Sequence, residues 1–596
     1  MSTTADILKK VSQPKDYKLI VEKDVKIPLR DGGVLYGDIY RPDCGNEKVP
    51  VIMNIGPYQK DKVWIPPHDL EEAPNEYMNW ETLNPLWWCP RGYGLLRVDT
   101  RGSGKSPGKS EPSSMQEAVD SYDCIEWVAK LPWSSGKVGT CGISYHAAFQ
   151  WKVAGLNPPS LKAIMPWEGR ADQYRDQAYH GGIFAMGFLA AWHNAQTAHH
   201  LLGRPRQYNP DSFQNDLLWN YMRNDLDSEY WRAKSAKWDK ITVPMYSVGN
   251  WGGYAMHLRG NTEGYMLAKS KHKKLRIHSG SHFHPFHAEE ARMDQLRWFD
   301  HWLKDNDTGI MDEPPVKLQI RTGGNLKGYP FRFENEWPLA RTQWTKFYLE
   351  PKVAKAGNGK SAEGTISTTA PKKAAKITYE ASPGGRHNHG GRTGVSFETA
   401  PMKQDTEITG PIVLNLWVSS SSEDMDIFAT LRHIDSKGKD VPEVGQRGEP
   451  CECVTKGWLR ASHRKLDRQK SLPYRPYHAH NERWPLKKGE VVECQVEVIS
   501  TCIVIKKGHK LRLDIGPLRL GFGPDRSAPC PDRQPGVTQF TRVQERIVQQ
   551  IFTTIEEITE DTLVDPDARR VAEFKQMTFE IRAYPDIDGD RATSVA

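Results

Sequence analysis

The residues best suited by type and spacing to do chemistry lie in two segments, Gly136–Ala148 (GKVGTCGISYHAA) and Leu275–His287 (LRIHSGSHFHPFH). In the first, a strand over Lys137–Gly142 runs into a tight turn centred on Ser144, and a helix is expected from Tyr145 to about Gly155. A strand–turn–helix of this kind lifts a Ser hydroxyl above a sheet edge and aims the next backbone N–H at an oxyanion. The helix N-terminus adds partial positive charge there. The G-x-S-x-G pattern is incomplete, because Gly142 is present but position 146 is His. A Ser nucleophile needs a base, and the base needs an orienting acid. The second segment supplies four His after what reads as a late strand. No carboxylate or Cys lies among them at metal-ligand spacing, so one catalytic His with the others structural is expected, with no metal and no cofactor.

The elements that must position these residues alternate between strand and helix. Apolar runs at Val34–Tyr40, Val49–Ile55, Gly94–Asp99, Val138–Ile143, Leu161–Trp167, Val243–Val248 and Leu275–His278 read as strands. Several are apolar throughout, as strands covered on both faces are. Helical spacing appears over Met115–Leu131 and Glu289–Leu303. This alternation predicts an α/β domain with a largely parallel sheet over 1–169 and 239–340. The long aromatic segment 170–238 reads as a mainly helical insertion, a cap over the site or a packing elaboration. Pro351–Lys376 is poor in large apolar residues and reads as a linker. Short strand-like runs separated by Gly and Pro then predict a β-sandwich of jelly-roll type over 341–596.

The chain has 596 residues and a net charge of +7. That excess is too small and too dispersed for a nucleic-acid or polybasic membrane protein. Twenty Trp, 22 Tyr and 17 Phe supply ample core and exclude a disordered chain. No run approaches the roughly 18 apolar residues of a membrane span, and the N-terminus lacks an apolar signal core. A cytoplasmic address is therefore expected, with the nine Cys as free or buried thiols.

Gly142–Ala147 (GISYHA), with the preceding loop Asp99–Ser106 (DTRGSGKS), resembles the cocaine esterase and X-Pro dipeptidyl-peptidase (CocE/NonD) group of α/β-hydrolase-fold serine hydrolases. Ile55–Lys60 (IGPYQK) is similar to the group's P-Y segment. Gly410–Asp435 and Lys507–Leu513 resemble its jelly-roll domain. The resemblance implies an α/β-hydrolase fold followed by a jelly roll, with Ser144 as nucleophile. It also implies an oxyanion hole made by the Tyr58 hydroxyl and the Tyr145 N–H. The group's G-P-W-x-H segment aligns with Gly280–His284, which makes His284 the expected base and His282 the second choice. The group's acid lies in G-W-x-D-x-F, where this chain has Gly252 in place of Asp. Glu168, at the end of the strand Leu161–Trp167, is the expected substitute, with Asp172 and Glu263 as lesser alternatives.

Trp167, Trp251, His146 and Phe184 are expected around a substrate pocket or in the core. The leading expectation is a hydrolase that cleaves a carboxylic ester, or less readily an amide, of a small molecule through an acyl-enzyme. Two rivals stand beside it. One is an acyltransferase, cyclase or other non-hydrolytic enzyme using the same pocket. The other is a non-catalytic binding protein, suggested by Gly252. Neither a nucleic acid nor a membrane is an expected partner, and self-association is left open.

Overall fold

The computed structural model describes residues 9–61, 70–193 (apart from 71–72, 74 and 80), 217–324, 328–353, 362–381, 394–446, 452–516 and 577–583. One ten-stranded sheet carries the first half of the chain. Its strands are β1 (Leu19–Pro28), β2 (Val34–Pro42), β3 (Val49–Gly56), β4 (Gly94–Asp99), β5 (Ser134–Ile143), β6 (Leu161–Trp167), β9 (Met245–Asn250), β10 (Lys273–His278), β11 (Val316–Gln319) and β12 (Phe331–Glu334). The short hairpin strands β7 (Tyr179–His180) and β8 (Ile183–Phe184) form their own pair. The order across the large sheet is β1-β2-β4-β3-β5-β6-β9-β10-β11-β12. From β4 to β11 the neighbours are parallel. The outer pairs β1/β2, β2/β4 and β11/β12 are antiparallel.

Strands β3 and β4 are buried along their whole length, as strands covered by helices on both faces must be. Helices α1 (Met115–Ala129) and α2 (Tyr145–Ala154) pack through Cys124, Ile125, Val128, Phe149 and Trp151 against Val51, Met53 and Ile55. The Ser114 hydroxyl caps α1 by accepting from the Glu117 N–H. The other face carries Trp298, Phe299 and Leu303 of the helix Glu289–Lys304. This is the α/β-hydrolase fold.

The described part of the insertion after β6 mixes helices with other local structure. It holds a π-helical turn over Gln173–Ala178, the β7–β8 hairpin, and the helices α3 (Met186–Trp192), Leu217–Arg223 and Glu229–Arg232. Its segment 194–216 lies outside the described residues. Tyr174, Tyr179, Trp192, Tyr221 and Trp231 form an aromatic cluster that reaches Tyr58 and Tyr145.

A second ten-stranded ladder is formed by described residues between Tyr348 and Ala583, and the strands at its two ends come back into contact around one core. This is the C-terminal β-sandwich. Within Pro351–Lys376, read from composition as a loop or linker, the structure holds strand as well, because Tyr348–Val353 pairs antiparallel with Ala362–Ser367, and residues 354–361 lie outside the described residues. Tyr348–Val353 lies at the edge of the ladder, where Pro351 can interrupt the register without breaking a central strand. The C-terminal residues 584–596 lie outside the described residues. Among the described residues, seven Cys are free thiols. No described helix is long and apolar enough to cross a membrane.

Candidate active site

Four adjacent strands, β5, β6, β9 and β10, end at one edge of the sheet. The loops leaving them carry Ser144, Glu168, His257 and His282 in that order. The carboxyl end of a parallel sheet is where α/β folds assemble sites.

Ser144 has φ 55° and ψ −107°, a conformation that L-residues avoid. Gly142 precedes it because a Cβ there would lie 2.5 Å from the His146 Cβ. Backbone hydrogen bonds hold the turn: Ile143 N–H donates to Glu81 O at 3.0 Å and Ser144 N–H to Trp167 O at 3.0 Å. Glu168 is fixed likewise, its N–H donating to Val248 O at 2.6 Å. Glu81 and Glu168 also adopt positive φ, 55° and 54°. Three strained non-glycine residues thus meet at one place, as is common at functional sites.

The Ser144 hydroxyl pairs with His257 Nε2 at 3.2 Å, and not with His284 or His282. His257 immediately precedes helix α4 (Leu258–Leu267). Asn261 of that helix pins it to the end of β6, accepting from Gly169 N–H at 3.0 Å and donating to Pro166 O at 3.1 Å. Gly260 permits the approach, since a Cβ there would lie 2.5 Å from Gly169 O.

The expectation for His284 needs correction. After β10 the chain turns at Gly280, with φ 102°, and Pro285 starts a helical turn over His284–His287. In that turn His284 is partly exposed, its N–H donating to the Ser281 hydroxyl at 3.2 Å, whereas His282 is buried. His282 Nδ1 lies 2.7 Å from Glu168 Oε2, and Nε2 lies 3.0 Å from Glu81 Oε1. Burial disfavours the His282 imidazolium, but the charges and hydrogen bonds of Glu168 and Glu81 outweigh it and hold its pKa at about 10. His278 lies 3.4 Å from Glu168 Oε1, and there burial dominates, lowering its pKa to about 4.

Glu168 is fully buried and accepts from Asn250 Nδ2 at 3.2 Å and Gln446 Nε2 at 2.7 Å. Its Oε2 lies 3.9 Å from His257 Nδ1. Gln446 comes from the β-sandwich and stands between them, its Nε2 also contacting His257 Nδ1 and lying 3.0 Å from His282 Nδ1. Gly252, where the acid was expected, faces this loop. A Cβ there would lie 2.9 Å from Gln446 N and 3.0 Å from Val444 O. Asp172 instead pairs with Arg175 at 2.9 Å, and Glu263 with Arg475.

Glu168, His257 and His282 bring one metal-type donor each within 4.8 Å of one another. The expectation of no metal came from the histidine segment alone, whereas this set forms across three loops.

Tyr58 follows β3, with its ring edge-on to Tyr145 and His146 at 5.9 and 5.8 Å, and its hydroxyl accepts from Trp192 Nε1 at 2.9 Å. The Tyr145 hydroxyl turns away and donates to Glu117 at 2.6 Å, leaving its backbone at the start of α2 beside Ser144. His146 is structural, its ring held to Ile55 O at 3.0 Å. Trp167 and Trp251 are core residues. The first is sealed against His278 and Phe286, and the second donates to Gln319 O at 2.9 Å between the two sheets. Phe184 packs on Tyr179 in the aromatic cluster beside Tyr58. Sequence reasoning missed His257, Gln446 and Glu81.

Comparison with known proteins agrees with this architecture. Residues 31–284 match the X-Pro dipeptidyl-peptidase (S15 family) description, and residues 308–517 match the X-Pro dipeptidyl-peptidase C-terminal non-catalytic domain. A putative serine esterase of Mycobacterium bovis is 23% identical over 578 residues, covering 82% of this chain and 89% of that protein. The cocaine esterase of Rhodococcus sp. is 23% identical over 569 residues, covering 83% and 90%. Two crystal structures of a CocE/NonD family hydrolase from Staphylococcus aureus superpose with TM-scores of 0.78 and 0.76 at 29% and 30% identity. They cover 95% of this chain and 93% and 92% of theirs.

Proposed function

This chain belongs to the CocE/NonD family of hydrolases and is a serine hydrolase, and we propose that it cleaves a carboxylic ester of a small organic substrate through an acyl-enzyme on Ser144. The observation that carries the reading is the 3.2 Å pairing of Ser144 Oγ with His257 Nε2 at a strained strand–helix turn.

In the tautomer that carries its proton on Nδ1, on the side of Glu168 Oε2 and with the Gln446 amide turned from it, His257 Nε2 takes the hydroxyl proton as Oγ attacks the carbonyl carbon. The Tyr145 N–H and the Tyr58 hydroxyl hold the oxyanion. The imidazolium then protonates the departing alkoxide, and water, activated by the same ring, releases the acid. Glu168 and Gln446 stand behind the ring. The carboxylate, 3.9 Å from Nδ1, stabilises the imidazolium as it forms. Both nitrogens of His282 already meet carboxylates, so in this arrangement it braces Glu168 rather than taking a proton.

A second reading makes His282 the base, since its 2.7 Å contact with Glu168 is the shortest imidazole–carboxylate pairing in the site. It requires Nε2 to leave Glu81 and turn to Ser144. Acyl transfer to an amine or alcohol would use the same first half-reaction and is separated from hydrolysis by product analysis.

Intact mass after exposure to a fluorophosphonate tests the reading. One adduct, mapped to Ser144 and absent from Ser144→Ala, is expected, together with turnover of simple aryl esters. A folded wild-type protein that takes no adduct and turns over no ester contradicts it.

A further inference from the structure

Three ligand-type atoms around Glu168 converge on a point that is poorly served by hydrogen bonding. Gln446 Nε2 stands 2.7 Å from Glu168 Oε2, 3.0 Å from His282 Nδ1, and in contact with His257 Nδ1. An amide nitrogen carries two protons and cannot satisfy three acceptors. A His282 that is protonated on Nδ1 would instead present a donor to it.

The spacing suits a small cation. Tetrahedral donors about 2.0–2.1 Å from zinc lie about 3.3–3.4 Å from one another. Here Glu168 Oε2 is 2.7 Å from His282 Nδ1 and 3.9 Å from His257 Nδ1, values that bracket that separation. Two imidazoles and one carboxylate form a donor set suited to zinc-class ions.

The outer contacts are those that metal ligands require, because each donor's remaining polar atom is already held. Glu81 Oε1 lies 3.0 Å from His282 Nε2, making a carboxylate–histidine pair. Asn250 Nδ2 donates to the other oxygen of Glu168 at 3.2 Å. The Ser144 hydroxyl faces His257 Nε2. All three ligands are buried.

We propose that Glu168 Oε2, His257 Nδ1 and His282 Nδ1 bind one divalent transition-metal ion of the zinc class, with water as the fourth ligand after Gln446 withdraws, and that this ion switches hydrolysis off. A neutral imidazole that gives its Nδ1 lone pair to a metal carries its proton on Nε2. His257 then donates to Ser144 and cannot accept its proton. If His282 is the base, the same logic removes it. Binding is therefore independent of which histidine serves hydrolysis, and only the inhibitory consequence rests on the serine hydrolase reading.

The test titrates tag-free, full-length protein with Co2+ and reads the visible absorption of the four-coordinate ion. One equivalent is expected to saturate the band in wild type and in Ser144→Ala, and Zn2+ is expected to displace it. His282→Ala should lose the band, and wild type and Ser144→Ala should both gain thermal stability from Zn2+. Equimolar Zn2+ should slow fluorophosphonate labelling of wild type at least a hundredfold, with recovery on adding a chelator. Only six-coordinate Co2+, a band that survives in folded His282→Ala, or no thermal shift in either protein overturns the site. Because Ser144→Ala reports binding without catalysis, a Co2+ band in a protein that takes no fluorophosphonate supports the metal site while contradicting the hydrolase reading. Labelling with no band does the reverse.

Discussion

The two halves of the site are built differently. Ser144 is held by backbone: a positive φ, a preceding glycine, and hydrogen bonds to Glu81 and Trp167 carbonyl groups on either side. The proposed acid–base half is held by side chains that converge from four distant loops, at Glu168, His257, His282 and Gln446. A backbone-encoded feature is local and leaves a motif in ten residues. A convergent feature depends on packing between elements and leaves none. Mutations should therefore damage the first half all or none and the second half by degrees.

Ser144→Ala is expected to lower ester turnover by about a million-fold with little loss of stability. Ser144→Gly, equally inactive, should be about 1 kcal/mol more stable than Ser144→Ala in denaturant melts, because glycine relieves the positive φ. Equal stabilities would show that the elbow carries no strain and would remove one side of the contrast.

Glu168→Gln keeps the shape and removes the charge behind His257. Turnover should fall by about 10²–10⁴-fold, short of the loss at Ser144, and steady-state kinetics at saturating ester measure it. Wild-type turnover in Glu168→Gln would move the acid elsewhere.

Gly252→Asp restores the residue that the family pattern supplies. A Cβ there meets backbone of the 444–446 loop at 2.9–3.1 Å, so it should destabilise by about 1–3 kcal/mol rather than improve activity. A faster, equally stable variant would show that Gln446 is not fixed where it stands.

A last effect concerns the seam between the insertion and the sandwich. His463 and His478 are held by burial, and by Arg460 and Arg175 respectively, at pKa values of about 4 and 3, with His480 well below its ordinary value. The unfolded chain binds protons on these rings near pH 6.5 and the folded chain does not. Stability should therefore fall as pH drops from about 6.5 towards 4, and more weakly in His463→Gln. Urea midpoints across that range measure it.

The same contrast explains what was legible in the sequence. The strands ending at Asp99 and Trp167, the turn at Ser144 and the carboxylate at the end of β6 all follow from apolar runs and local turn chemistry. His257 lies in a loop with no periodicity, and its placement depends on Gly260 seating against Gly169. Gln446 enters from another sheet, a contact that spacing cannot encode. His284 fitted a spacing pattern, but the Gly280 turn and Pro285 shift the inward residue to His282. Tyr348–Val353 was unreadable as a strand because an edge position tolerates a proline that a central one would not.

The identity of the base is the central claim, and the rate of fluorophosphonate labelling tests it most directly on wild type, His257→Ala, His282→Ala and His284→Ala in metal-free buffer. The account predicts a loss of about 10²–10⁴-fold for His257→Ala, a smaller loss for His282→Ala, and a rate within about twofold of wild type for His284→Ala. A wild-type rate in folded His257→Ala, with labelling lost in His282→Ala or His284→Ala, would contradict it.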